Sequence, residues 1–253
     1  MTFAMRSVRA VEKTVIVMPV ANEEETMGAV LDEILSLPYE NLYVYPVLDA
    51  YSRDGTQEIV ERYERETDGR VKCIFHAQSY GVVSCYLYGF KRALEDGAER
   101  IIEMDGGGSH QPSEIPQFVE KLDQGYDCVW GSRFCEGGEL AKSPFYRKVL
   151  SKGGTILANL ILGTKLMDMT SGFEAFQKDV LESMNLDSFL STGHMYQTEM
   201  RYYCRNEKAI EVPIHYISGT SSLKMKSVIE ALQILFKLKK AERTVRGIKT
   251  VVK

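Results

Sequence analysis

The chain has 253 residues, 44% of them hydrophobic and 26% charged, with a formal net charge of −4 at neutral pH. This suits one large domain around a buried core and argues against a generally cationic nucleic-acid binder. The sequence shows neither the charged start and apolar core of a signal peptide nor an apolar run long enough to span a bilayer, so a cytoplasmic chain is expected.

Short β-branched runs alternate with longer helical patterns, which predicts an α/β fold with a mostly parallel sheet flanked by helices. Thr14 to Met18 reads as the first strand, followed by a helix from near Glu23 towards Leu37 with Met27, Val30, Leu31 and Ile34 on one face. Leu42 to Leu48 is the second strand, and a second helix begins after the Asp54-Gly55-Thr56 turn. Val71 to Phe75, the helix Val83 to Leu94, Arg100 to Met104, the helix Pro112 to Leu122 and Asp127 to Trp130 continue the rhythm. After a helix over Tyr146 to Leu162 the pattern becomes irregular, with one more strand at Val212 to Ile217. The five cysteines, Cys73, Cys85, Cys128, Cys135 and Cys204, form no CxxC pair and read as reduced thiols, not zinc ligands.

From Lys224 onward nine Lys or Arg face only Glu230 and Glu242, so the tail carries about +7 and the remainder about −11. Between Ser227 and Ile248 the residues Ile234, Leu238, Ala241, Val245 and Ile248 recur at helical spacing among Lys and Arg. The pattern predicts a domain over residues 1–225 and a basic amphipathic helix over 226–253, either docked on the sheet or lying on an anionic membrane surface.

Chemistry gathers where strands end. Ile101-Ile102-Glu103-Met104 runs into Asp105-Gly106-Gly107-Gly108-Ser109-His110, and an acid there is costly unless it meets a metal or a polar ligand. Val17-Met18-Pro19-Val20-Ala21-Asn22-Glu23, Asp49-Ala50-Tyr51-Ser52-Arg53-Asp54-Gly55-Thr56, the Asp105 loop, Gly131-Ser132-Arg133 and Asp168-Met169-Thr170-Ser171-Gly172-Phe173 follow in series. This series resembles glycosyltransferase family 2, inverting enzymes of the GT-A fold that include dolichol-phosphate mannose synthases.

The resemblance implies a nucleotide-diphosphate sugar donor contacted by Pro19, Glu23, Asp49, Asp105, Arg133 and Lys224, with Arg133 gripping phosphate oxygens. It implies a divalent cation, Mg2+ or Mn2+, with Asp105 and Ser109 as the candidate ligands. The family motif there is Asp-x-Asp, and Gly107 stands where its second acid belongs, so weak metal binding is expected. Ala50 replaces a second acid after Asp49, Val83 replaces a glycine, and Gly219 replaces an arginine in the segment leading to Lys224. His110 reads equally as a ligand and as a hydrogen-bonded loop residue. Asp168 and Glu199 are the base candidates for a sugar hydroxyl acceptor, and a polyprenyl phosphate, already anionic, needs no base. The implied function is transfer of a sugar to an acceptor such as a polyprenyl phosphate or a lipid-linked glycan, peripheral to the cytosolic membrane face. The competing reading is a nucleotide-sugar-binding protein of the same fold with impaired catalysis.

Overall fold

In the computed structural model the described residues are 12–78, 81–141, 143–217 and 225–240. Strands β1 (Thr14–Val20), β2 (Leu42–Asp49), β3 (Ile74–His76), β4 (Arg100–Glu103), β5 (Cys128–Ser132), β7 (Glu174–Gln177) and β8 (Ala209–Pro213) form one sheet in the order β3-β2-β1-β4-β7-β5-β8. β6 (Glu139–Ala141) and β9 (His215–Ile217) pair in a separate parallel ribbon. Only β7 runs against its neighbours, β4 and β5.

The strands are buried on both faces because successive side chains alternate between two cores. Ile16, Met18 and Leu48 pack with α1 (Met27–Leu35), α2 (Thr56–Glu66) and α4 (Ile115–Asp123). Val15, Val17 and Val47 pack with α3 (Val82–Glu95), α5 (Phe145–Leu162), α6 (Lys178–Glu182), α7 (Tyr196–Tyr203) and α8 (Met225–Lys240). Leu235 and Leu238 bury α8 in this second core. The expected basic helix beyond Lys240 lies outside the described residues. None of the five cysteines forms a disulfide. Val83 is buried in the core.

Three expected elements differ. The first helix begins at Met27, not near Glu23, because the amides of Thr26 and Met27 both turn back to the Glu23 carbonyl. The expected strand Val212 to Ile217 is two strands in different sheets, parted at Ile214, whose amide bonds to the Ser132 carbonyl. The expected third strand shortens to Ile74–His76, with Val71 joined to Val44 only by an isolated bridge.

β1 has β2 on one side and β4 on the other. The strand order therefore reverses at β1, and a crevice opens beyond the carboxyl ends of β1, β2 and β4. Directly beneath it, Glu103 of β4 stands opposite Glu174 of β7, both fully buried. Arg201 of α7 pairs with Glu174 (Nη1 to Oε1, 2.6 Å) and donates to the Ser171 carbonyl, while the Tyr196 hydroxyl donates to Glu103 Oε2 at 3.1 Å. Burial, then repulsion from Glu174, pushes the Glu103 carboxyl well up; burial outweighs Arg201 and lifts Glu174 to about 7. One cation cannot neutralise two carboxylates, so Glu103 is the one that keeps its proton at neutral pH.

Folded-state values above the unfolded ones mean that folding takes up protons. The pair's contribution to stability is complete below about pH 4.5 and fades as pH rises above it, through about 7 for Glu174. Glu103→Gln, which has no proton to lose and still accepts from Tyr196, is expected to raise stability at pH 8 by on the order of 1 kcal/mol and to change little at pH 5. Calorimetry at both values checks this, and an equal effect at the two would contradict it.

Candidate active site

The first side of the crevice is built from the turns after β1 and β2. Asn22 takes a left-handed backbone (φ 58°) and accepts the Arg53 amide on Oδ1 at 2.9 Å, which ties the two turns together. Glu24 and Asp54 complete the tie reciprocally: Asp54 accepts the Glu24 amide and Glu24 accepts the Gly55 amide. Asp54 also accepts from the Thr56 amide and hydroxyl at the start of α2, the capping role expected of that turn. Glu23 is thereby turned towards the crevice, its amide fixed by Thr56 Oγ1 at 2.8 Å. Burial, with the charges of Asp105 and Asp54 added and only Thr26 opposing, pushes the Glu23 carboxyl up.

Asp49 ends β2 with 8% of its surface exposed, and its Oδ1 accepts the Tyr51 amide at 2.9 Å. Tyr51 itself is 64% exposed beside it. A carboxylate next to an open aromatic ring can grip a nucleobase by its edge and by its face. Sequence reading passed over Tyr51, although an aromatic residue in a strand-end turn that cannot bury it was a signal.

Asp105 is held by its neighbours more firmly than its glycine-rich loop suggests. Its Oδ1 accepts from the buried Tyr86 hydroxyl at 2.8 Å, and its amide donates to His110 Nδ1 at 3.1 Å. Its side chain stays 36% exposed. Since Nδ1 accepts, His110 carries its proton on Nε2, and burial favours that neutral ring. Phe173 stacks on the ring at 4.9 Å and Tyr216 meets it edge-on at 5.2 Å. Of the two readings of His110, the structure thus gives it the part of loop bracket. Ser109 is directed to β9: its carbonyl accepts the Ile217 amide and its hydroxyl engages the Tyr216 phenol.

Gly106 lies over the end of β1, where a Cβ would come 2.5 Å from Val20 Cγ1 and 3.2 Å from the Pro19 carbonyl. Only glycine lets the Asp105 loop close on β1 this tightly. Pro19 therefore supports the loop from below.

On the other side Arg133, just after β5, is locked to Asp168. Nε and the backbone amide donate to Oδ2 at 2.7 and 3.1 Å, and Nη2 donates to Oδ1 at 2.8 Å. Nη2 also reaches Thr170 Oγ1 at 2.6 Å and Ser151 Oγ on α5 at 3.2 Å. The expected two-pronged grip on phosphate is thus occupied by Asp168. Nη1 is the edge without a hydrogen-bond partner among the described residues. The guanidinium lies 5.6 Å from the centre of Tyr216, the ring that also faces His110, so Tyr216 joins the two sides.

The base candidates do not join the cluster as bases. Burial would raise Asp168, but the hydrogen bonds and charge of Arg133, with Arg201 and the Thr170 amide, hold it at about 2. Such a carboxylate is a poor proton acceptor near neutrality. Glu199 is fully buried in α7, and its two oxygens accept the amides of Leu190 and Ser191, both at 2.8 Å. It serves to fix the loop before α7. Lys224, with Gly219, lies outside the described residues.

Among the described residues no three His, Cys, Asp or Glu side chains form a group that could hold a metal ion. Asp105 nevertheless fits a hard cation as one partly exposed carboxylate at a site open to phosphate oxygens and water, the way Mg2+ is commonly held beside a diphosphate.

The family model for glycosyl transferase family 2 matches residues 15–184. The polyprenol monophosphomannose synthase of Mycolicibacterium smegmatis is 29% identical over 95% of this chain and 90% of its own length. The undecaprenyl-phosphate mannosyltransferase of Micrococcus luteus is 30% identical over 81% of this chain and 84% of its own length. The dolichol-phosphate mannosyltransferase of Pyrococcus furiosus is 31% identical over 91% of this chain and 64% of its own length. Glucosyl-3-phosphoglycerate synthase from Mycobacterium tuberculosis, solved with UDP, shares the fold with a TM-score of 0.62 at 16% identity, over 90% of this chain and 79% of that one. The same enzyme solved with Mn2+, UDP and glucosyl-3-phosphoglycerate gives 0.63 at 14% identity, over 90% and 78%.

Proposed function

Because the chain belongs to glycosyl transferase family 2, we propose that it transfers a sugar, with inversion, from a nucleoside-diphosphate donor to the phosphate of a polyprenol at a membrane surface. The observation that carries the acceptor half is α5. Its Ser151 hydroxyl touches Arg133, while Phe145 (81% exposed), Ile156 (60%) and Leu160 (78%) stand open to the outside. Tyr146, Val149 and Leu150 add to this apolar surface, and Lys148 and Lys152 are exposed among them. Beside it α8 shows Phe236 with Lys237, Lys239 and Lys240. Apolar rings and chains among ammonium groups match the interface of an anionic bilayer. The relatives whose names include a polyprenol acceptor support the same direction. No described helix is long and apolar enough to cross a membrane.

In this reading Asp49 and Tyr51 take the base, and the diphosphate lies over Glu23 and Asp105. A divalent cation bound there would offset the diphosphate's charge and favour its departure. An acceptor phosphate oxygen approaches from the Arg133 side, forms the new bond at the anomeric carbon, and the bond to the donor's diphosphate breaks on the opposite face. The oxygen is already anionic, which agrees with a site where Asp168 and Glu199 are engaged elsewhere. Arg133 presents Nη1, and Asp168 keeps that edge oriented.

Vesicle co-sedimentation tests the membrane half. The protein is expected to bind phosphatidylglycerol-containing vesicles, and Phe145→Glu with Leu160→Glu is expected to weaken that binding about tenfold or more. Equal sedimentation of the two forms would remove the argument from α5.

A further inference from the structure

The Asp105 loop lacks the second acid of its motif, and the structure shows what occupies that place. A Cβ built on Gly107 would lie 2.9 Å from Glu23 Oε1, 3.0 Å from Oε2 and 3.1 Å from Cδ. The whole carboxylate of Glu23 thus fills the volume into which a side chain at position 107 would project. Gly107 is not required by its backbone: Gly108 has φ +73°, whereas Gly107 is not among the positive-φ residues. What a side chain there would meet is the carboxylate end of Glu23.

Among the described residues neither Glu23 nor Asp105 has a Lys or Arg partner within salt-bridge distance, so two neighbouring carboxylates face the crevice without a protein cation between them. Such a pair is unfavourable unless something positive comes in from outside. The same turn keeps Glu23 in place, through Thr56 Oγ1 on its amide and Thr26 Oγ1 on Oε2 at 3.4 Å.

We infer that Glu23 replaces the missing second acid, so that a divalent cation at the donor diphosphate is held by Asp105 from the end of β4 and Glu23 from the end of β1. This rests on reading the crevice as a donor-diphosphate site.

The test measures Mn2+ affinity, from the free-ion signal in electron paramagnetic resonance, in the presence of UDP and separately of GDP. Glu23→Gln is expected to weaken Mn2+ binding in the nucleotide complex about 10- to 100-fold, a larger change than it makes in nucleotide affinity in EDTA. Gly107→Asp alone is expected to change it little, because the new carboxylate and Glu23 compete for the same volume. In a Glu23→Ala background the same Gly107→Asp change is expected to strengthen it. That dependence on the background is the signature of one carboxylate standing in for the other. Unchanged Mn2+ affinity in Glu23→Gln, or the same effect of Gly107→Asp in both backgrounds, overturns the inference while leaving the donor site intact. Failure of the unaltered protein to bind either nucleotide overturns the donor site itself.

Discussion

Replacing Asp105 by Asn is expected to lower kcat/KM for sugar transfer by about 100- to 1000-fold and to leave the protein folded. The loop does not depend on the charge: Asn keeps an Oδ1 to accept from Tyr86, and the Asp105 amide still donates to His110. What is lost is one negative charge at the end of β4, next to Glu23, where the proposed function puts the cation and diphosphate of the donor. Weaker placement of that charge costs most when the nucleotide leaves, so kcat is expected to fall along with kcat/KM. Steady-state kinetics with melting curves checks this. Activity within threefold of the unaltered protein would remove Asp105 from the reaction.

Asp168→Ala is expected to act on stability first and on activity through it. The carboxylate is fully buried and receives three donors from Arg133 and the Thr170 amide. Its removal leaves a largely buried guanidinium with only hydroxyl partners, a loss of about 3–5 kcal/mol. Its pH signature is opposite to that of Glu103 and Glu174. A carboxyl held at about 2, below its ordinary 3.8, contributes stability in full above the unfolded value and loses it as pH falls from about 5 towards 2. Denaturant unfolding at pH 7 and at pH 3 is therefore expected to show a smaller gap between the two proteins at pH 3. A variant as stable as the original at pH 7 would show that the pair does not brace this side of the site.

The alternation of strands and helices was legible because parallel strands buried on both faces need apolar runs, and β1, β2 and β4 have them. The ends of those strands brought Glu23, Asp49 and Asp105 to one crevice, as their positions in the sequence implied. β7 was not legible: Glu174-Ala175-Phe176-Gln177 has no β-branched residue, and its position rests on tertiary pairing with β4 and β5. Arg133 was read as a phosphate clamp, since nothing in Gly131-Ser132-Arg133 shows that Asp168, 35 residues away, takes its fork. The relation of Glu23 to Gly107 is hidden for the same reason. Motif comparison shows an acid missing at one position but not that a residue on another strand has filled its space. The basic C-terminal pattern drew the membrane reading to residues 226–253, whereas among the described residues the larger exposed apolar surface is on α5.

The central claim is transfer from a nucleoside-diphosphate sugar to a polyprenyl phosphate. The most direct measurement incubates the protein with radiolabelled UDP- and GDP-hexoses, Mn2+ and anionic vesicles carrying polyprenyl phosphate, and follows label into the lipid. The account predicts a lipid-linked sugar phosphate of inverted anomeric configuration from one of these donors, made only when polyprenyl phosphate is present. Tight binding of a donor with no label reaching the lipid would contradict it and identify the protein as a nucleotide-sugar-binding member of its fold.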